Sequence, residues 1–115
     1  MTEKVRFERR DDLVMPLHML ASAEDLGEWY ASGLLWSLEH GERDLSIACF
    51  DAKRTYGFNG NRTAQVVLRM VTDVLYAHPE AESLTILCGD DKSWEDYNFW
   101  WNALYAEFKP GNPFF

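Results

Sequence analysis

Two runs of strand length, Leu45 to Phe50 and Ser83 to Cys88, are almost wholly apolar, and between them Val66, Val67, Met70, Val71, Val74 and Leu75 recur three and four residues apart. That recurrence is the period of one buried helix face. A strand, a helix and a second strand joined over this length argue for a parallel, right-handed crossover. The chain is thereby committed to an α/β fold. The unbroken run at Leu45 to Phe50 is expected inside the sheet, covered on both faces.

The flanking segments fill in the rest. Lys4 to Arg9 sets Val5 and Phe7 against charged neighbours, the period-two pattern of a sheet-edge strand. Leu13 to Leu20 is apolar but interrupted by Pro16, which cannot donate to a ladder, so it reads as irregular or as an edge strand. Ser22 and Asp25 predict a helix start, with Leu26, Trp29, Tyr30, Gly33 and Ser37 on one face, Leu35 opposite, and Gly41 as the stop. Asp51 to Arg54 reads as a polar turn, Thr55 to Phe58 as a short hairpin strand, and Asn59-Gly60-Asn61 as a loop. Thr63 is the expected cap of the central helix and His78-Pro79 its end.

A last helix is expected to begin at Ser93, with Asp96 completing a variant capping box, and to stop at Pro110-Gly111. At about 100° per residue its core face carries Tyr97, Trp100, Trp101, Leu104, Tyr105 and Phe108, and Phe99 falls on the other side. The expected architecture is one small α/β domain over residues 1–115. It has a short mixed sheet with a parallel βαβ unit and three flanking helices. At 115 residues and 47% hydrophobic composition the chain suffices for one such core and is short for two.

Charge narrows the partners. Eleven Lys plus Arg against nineteen Asp plus Glu give a net charge of −8, a field that repels nucleic acid and anionic lipid and attracts basic proteins. No apolar stretch approaches the ~20 residues of a membrane span, and Met1 to Arg10 does not resemble a signal peptide. Cys49 and Cys88 each close an apolar run and read as buried, reduced thiols of a cytoplasmic protein, able to pair only if the two runs are neighbours.

Three constellations could carry chemistry. Asp51, Asp90 and Asp91 fall at the carboxyl ends of the two apolar strands, where α/β proteins bind ligands, and three carboxylates there could hold Mg²⁺. Aspartate is equally the ordinary residue of turns and helix caps, and that reading is preferred. The Gly57 to Thr63 segment could offer backbone N–H groups and Arg62 to an anion. It matches neither the Walker loop nor the dinucleotide fingerprint. His18, His40 and His78 are scattered, and no nucleophile with a base and an orienting partner is in view.

The order strand, Gly-containing loop, helix and strand, followed by Asn98, then Leu104-Tyr105 and Phe108, resembles the second half of the GNAT N-acetyltransferases. The resemblance covers Leu45 to Phe108. It implies acyl transfer from coenzyme A, with Tyr105 protonating the thiolate and the Gly60 loop holding the pyrophosphate. The family's basic residue followed by two spaced glycines has no counterpart here. On its helical face Tyr105 reads as a core residue.

The leading expectation is a non-catalytic acidic protein-binding domain without a cofactor, in the manner of an inhibitor or immunity protein against a basic, nucleic-acid-binding target. Its expected surface is Phe99, Trp94 and the terminal Phe114 and Phe115, set beside Asp90, Asp91 and Glu95 as an apolar anchor in an acidic rim. Self-association is left open.

Overall fold

A computed structural model describes residues 4–14 and 20–105 of the chain. The sequence readings at Pro16, His18, Phe108, Pro110-Gly111, Phe114 and Phe115 lie outside these residues.

The element order is β1 (Val5–Arg9), α1 (Ala23–Glu39), β2 (Asp44–Cys49), α2 (Ala52–Tyr56), α3 (Gly60–Ala77), β3 (Ser83–Cys88) and α4 (Asp91–Leu104). The three strands form one sheet in the order β1-β3-β2, and both pairings are parallel. The α/β class and the βαβ unit are therefore present. Among the described residues the sheet is parallel throughout, and Thr55 to Phe58 is not a hairpin strand. Asp51 caps a short helix there, and Gly57 ends it at a φ of 81°.

Strand placement also differs from expectation in an instructive way. The central strand is β3, whose Leu84, Ile86 and Cys88 are fully buried, whereas the apolar run at β2 lies at the edge. Leu45, Ile47 and Cys49 of β2 point into the core, while Asp44 and Ser46 are exposed and Ala48 is half-buried. Its non-core positions are small or polar residues, which tolerate an open face.

All three long helices lie on one side of the sheet. Leu26, Tyr30, Leu34 and Leu38 of α1 and Val67, Leu68 and Val71 of α3 join the inward strand residues and Tyr97 and Trp101 of α4 in one core. α3 packs between α1 and α4. At Gly27 α1 and α3 approach so closely that a Cβ would overlap the Met70 sulfur. The opposite face carries Arg6, Glu8, Asp44, Ser46, Ser83 and Thr85, with only Ala48 and Leu87 apolar among the described residues, and none of them is fully buried. A polar face of this kind needs no second helical layer, although parallel sheets usually have one.

The connections follow from the same layout. α1 carries the chain from β1 past β3 to β2, and α3 carries it back from β2 to β3. Two crossovers that run in opposite directions over one face have opposite hands. One is right-handed and the other left-handed, a departure from the usual rule for parallel units.

Candidate functional site

The carboxyl ends of the strands gather the residues that sequence singled out, and the structure assigns each a structural partner. Asp51 Oδ1 accepts from the backbone N–H of Lys53 at 3.1 Å and caps α2. Asp90 caps α4: Oδ1 accepts from Ser93 N–H at 2.8 Å, and Oδ2 accepts from Asp51 N–H at 2.8 Å, tying the end of β2 to that of β3. Burial works against ionising Asp90. The two backbone donors outweigh it, so its carboxyl lies below the usual range. The α4 cap is thus Asp90, three residues before the expected Ser93, whose own hydroxyl donates back to the Asp90 carbonyl. Likewise Asn59, and not Thr63, caps α3 by accepting from Arg62 N–H at 3.0 Å.

Asp91 points away to Arg9 at 3.2 Å and is almost fully exposed. Among the described residues no group of three or more His, Cys, Asp or Glu is arranged to hold a metal ion. Beside these caps lies a cleft of about 370 Å³ lined by Asp51, Lys53, Arg54, Gly60, Asn61 and Lys92. Its three cations could receive a small anion. Arg62 is taken up by Glu24, with which it forms an ion pair at 2.5 Å. Lys92 donates to the buried Asp96 at 3.0 Å. Asp96 explains Gly60, where a Cβ would lie 2.6 Å from the carboxylate oxygen.

Tyr105 is remote from that cleft. Its hydroxyl meets Thr72 Oγ1 at 3.0 Å and its ring stacks on Trp101 at 4.7 Å. Thr72 stands twelve residues along α3 from Gly60, about 18 Å at helical rise. Asn98 donates to the Trp94 carbonyl on its own helix. The residues that carry the acetyltransferase resemblance are not brought together.

Beneath the strand ends, Cys49 and Cys88 are register partners on adjacent strands, both free and fully buried. Burial pushes the Cys49 thiol well above its ordinary value and that of Cys88 up to about 12, so neither is a ready nucleophile. Tyr30 and Tyr97 are buried around Cys49, and burial holds both phenols protonated. Sequence periodicity gave no reason to place Tyr97, Tyr30 and Cys49 together.

On α4, Phe99 is 61% exposed and Trp94 37%, with Glu95 exposed between them. Phe99 meets Trp100 edge-on at 5.0 Å. Trp94 and Phe99 lie about 140° apart around the helix, on either side of Asn98, so they flank a polar stripe and do not form one apolar patch. Trp100, expected in the core, is half-buried and donates its indole N–H to Asn61 at 3.1 Å. Leu104, also expected there, is 39% exposed.

A second aromatic surface was missed. α1 is rotated from the expected face: Leu26, Tyr30, Leu34 and Leu38 point inward, and Trp29 and Trp36 are 47% and 59% exposed. The four-residue spacing of those inward residues is the signal in the sequence, and the tryptophans interleaved with it blur the apolar stripe. Trp29, Gly33, Trp36, Ser46, Ala48 and Phe50 contribute to the walls of a groove of about 550 Å³ between α1 and β2.

The chain matches no protein-family model and no curated protein. Among the described residues no helix is long and apolar enough to cross a membrane.

Proposed function

We propose that the protein is a non-catalytic, acidic binding domain of the cytoplasm that engages a basic protein, as an inhibitor or immunity-type protein would. One observation carries this reading: Phe99, Trp94 and Trp36 are large aromatic side chains held at the surface of a chain with net charge −8. Exposed rings in an acidic surround supply an apolar anchor and an attractive field for a cationic partner. The groups that would serve catalysis favour the same reading, because Asp51, Asp90 and Tyr105 are each engaged in holding the fold. The buried thiols suit a reducing compartment.

The test is quantitative affinity purification of the wild type against Phe99→Ala and Glu95→Lys, followed by mass spectrometry. A basic protein retained by the wild type, released by moderate salt and reduced with both variants is the expected outcome. Equal retention by both variants removes the α4 surface from the reading.

A further inference from the structure

The helix layer of this protein is wider than its sheet. Three helices side by side, about 9 to 10 Å apart, span about 19 Å between outer axes, whereas three strands about 4.8 Å apart span about 10 Å. With α3 between α1 and α4, the outer helices overhang the outer strands. On the β2 side the overhang is the groove: α1 forms its roof and touches β2 only lightly. Among the described residues its lining carries no charged side chain.

The backbone of β2 shows what the groove can bind. The carbonyls of Arg43 and Cys49 accept from Ser83 and Gly89 respectively, so odd-numbered residues direct their polar groups to β3. Alternation along a strand then turns Asp44, Ser46 and Ala48 outward. The Ala48 carbonyl confirms this, since it accepts from the Tyr30 hydroxyl of the overhanging helix at 2.5 Å. The N–H and C=O of Ser46 are left facing the groove, and among the described residues nothing pairs with this strand edge under its apolar roof.

We propose that this edge is a strand-addition site that takes an extended segment of a basic partner protein, with apolar residues alternating with lysine or arginine. Main-chain bonds to Ser46 would fix the segment, and its apolar side chains would meet Trp36, Gly33 and Phe50. Charge selects the occupant: Glu28 and Glu39 on α1 and Glu42 and Asp44 at the start of β2 are exposed, against Arg43 there and Lys53 and Arg54 beyond Phe50, in a chain of net charge −8. A second copy is excluded as the strand donor by geometry. Two-fold pairing of β2 edges would bring two overhanging α1 helices into the same space. The inference shares with the proposed function a basic partner, but it does not depend on α4.

The probe is a short capped peptide of alternating lysine and valine, with a glutamate-valine peptide as control. Binding is measured by calorimetry and by amide hydrogen exchange at Ser46. The lysine peptide is expected to bind about tenfold more tightly than the control and to slow Ser46 exchange by at least about tenfold. Ser46→Pro removes the outward N–H and leaves the β3 ladder intact, as an edge position allows. Gly33→Leu fills the groove from a site where a Cβ meets nothing within 4 Å, so it leaves folding unharmed. Each is expected to weaken the lysine peptide about tenfold, and Phe99→Ala to leave it unchanged. Equal binding by wild type, Ser46→Pro and Gly33→Leu overturns the proposal in favour of plain surface electrostatics. Slow Ser46 exchange without peptide overturns it as well, because a segment of this chain would then hold the edge. Loss of partner capture by Phe99→Ala with intact peptide binding would separate the two surfaces.

Discussion

The two edges of the sheet are built on opposite plans. β1 presents Arg6 and Glu8 to solvent, ends at the half-buried Arg9 and continues into the exposed Arg10, so a strand approaching it meets charge at most positions. β2 presents Ser46 and Ala48, both small and neutral, beneath the tryptophans of α1. Charged side chains are a common protection of exposed strand edges against pairing with other chains. The same protein thus guards one edge, and among the described residues nothing covers the other, which carries the groove. The ends of the edges differ too. The start of the loop after β2 is pinned to the next helix cap by a carboxylate that accepts two backbone N–H bonds, and the end of β1 by an exposed ion pair.

The sharpest way to break that comparison is to remove the pin on β2. Asp90→Ala deletes a helix cap and the bond to Asp51 N–H, and should cost about 2 kcal/mol in urea denaturation. Asp90 also fixes a pH dependence. Its folded pKa is depressed relative to the unfolded chain, so its contribution is complete above about pH 5 and is lost as pH falls through the folded value. Asp90→Asn should therefore flatten the acid limb of the stability curve and leave its shape near neutrality unchanged. An unaltered acid limb would mean that Asp90 does not distinguish the two edges.

The difference between the edges also explains how far the sequence could be read. The α3 helix was legible because every third or fourth residue from Val67 to Leu75 is buried, and its stop at His78 followed from the proline after it. The two apolar strands were legible for the same reason, but their order was not. Leu45 to Phe50 and Ser83 to Cys88 are nearly equal in apolar character, and which becomes central depends on where α1 delivers the chain. The caps at Asn59 and Asp90 were missed because Thr63 and Ser93 are equally good cap residues by type. As for the site, Asp51 and Asp90 were correctly placed at the strand ends, where their capping role held. The groove was invisible, since it arises from the width of the helix layer against the sheet and from the outward alternation of β2, neither of which is local.

A smaller effect is expected at the roof of the groove. Tyr30→Phe removes the hydroxyl that donates to the Ala48 carbonyl and keeps the ring in the core. A single neutral hydrogen bond of this kind contributes about 1 kcal/mol, and thermal denaturation should report a loss of that size. The substitution also turns the Ala48 carbonyl into a second acceptor at the open edge. If Ser46 amide exchange is unchanged while global stability falls, the hydroxyl supports the roof without controlling the edge. A rise in exchange at both Ser46 and Ala48 would show that the roof itself has loosened, and the comparison of edges would then rest on α1 more than on β2.

The smallest effect belongs to the neighbouring carboxylate. Asp91 adjoins Asp90 in sequence, yet its side chain is 92% exposed and meets only Arg9, itself shared with Asp11 at 2.9 Å. An exposed pair in high dielectric contributes little, and Arg9 keeps a second carboxylate when the first is removed. Asp91→Asn should leave the denaturation midpoint within error at both low and high salt. Measured beside Asp90→Ala, it separates two adjacent aspartates that sequence alone treats alike: one accepts hydrogen bonds from the backbone N–H groups of Asp51 and Ser93, and the other competes with water for a guanidinium. A substantial loss at Asp91 that salt abolishes would show the β1 edge to be pinned electrostatically, and the contrast between the two edges would narrow to the neutral backbone at Ser46.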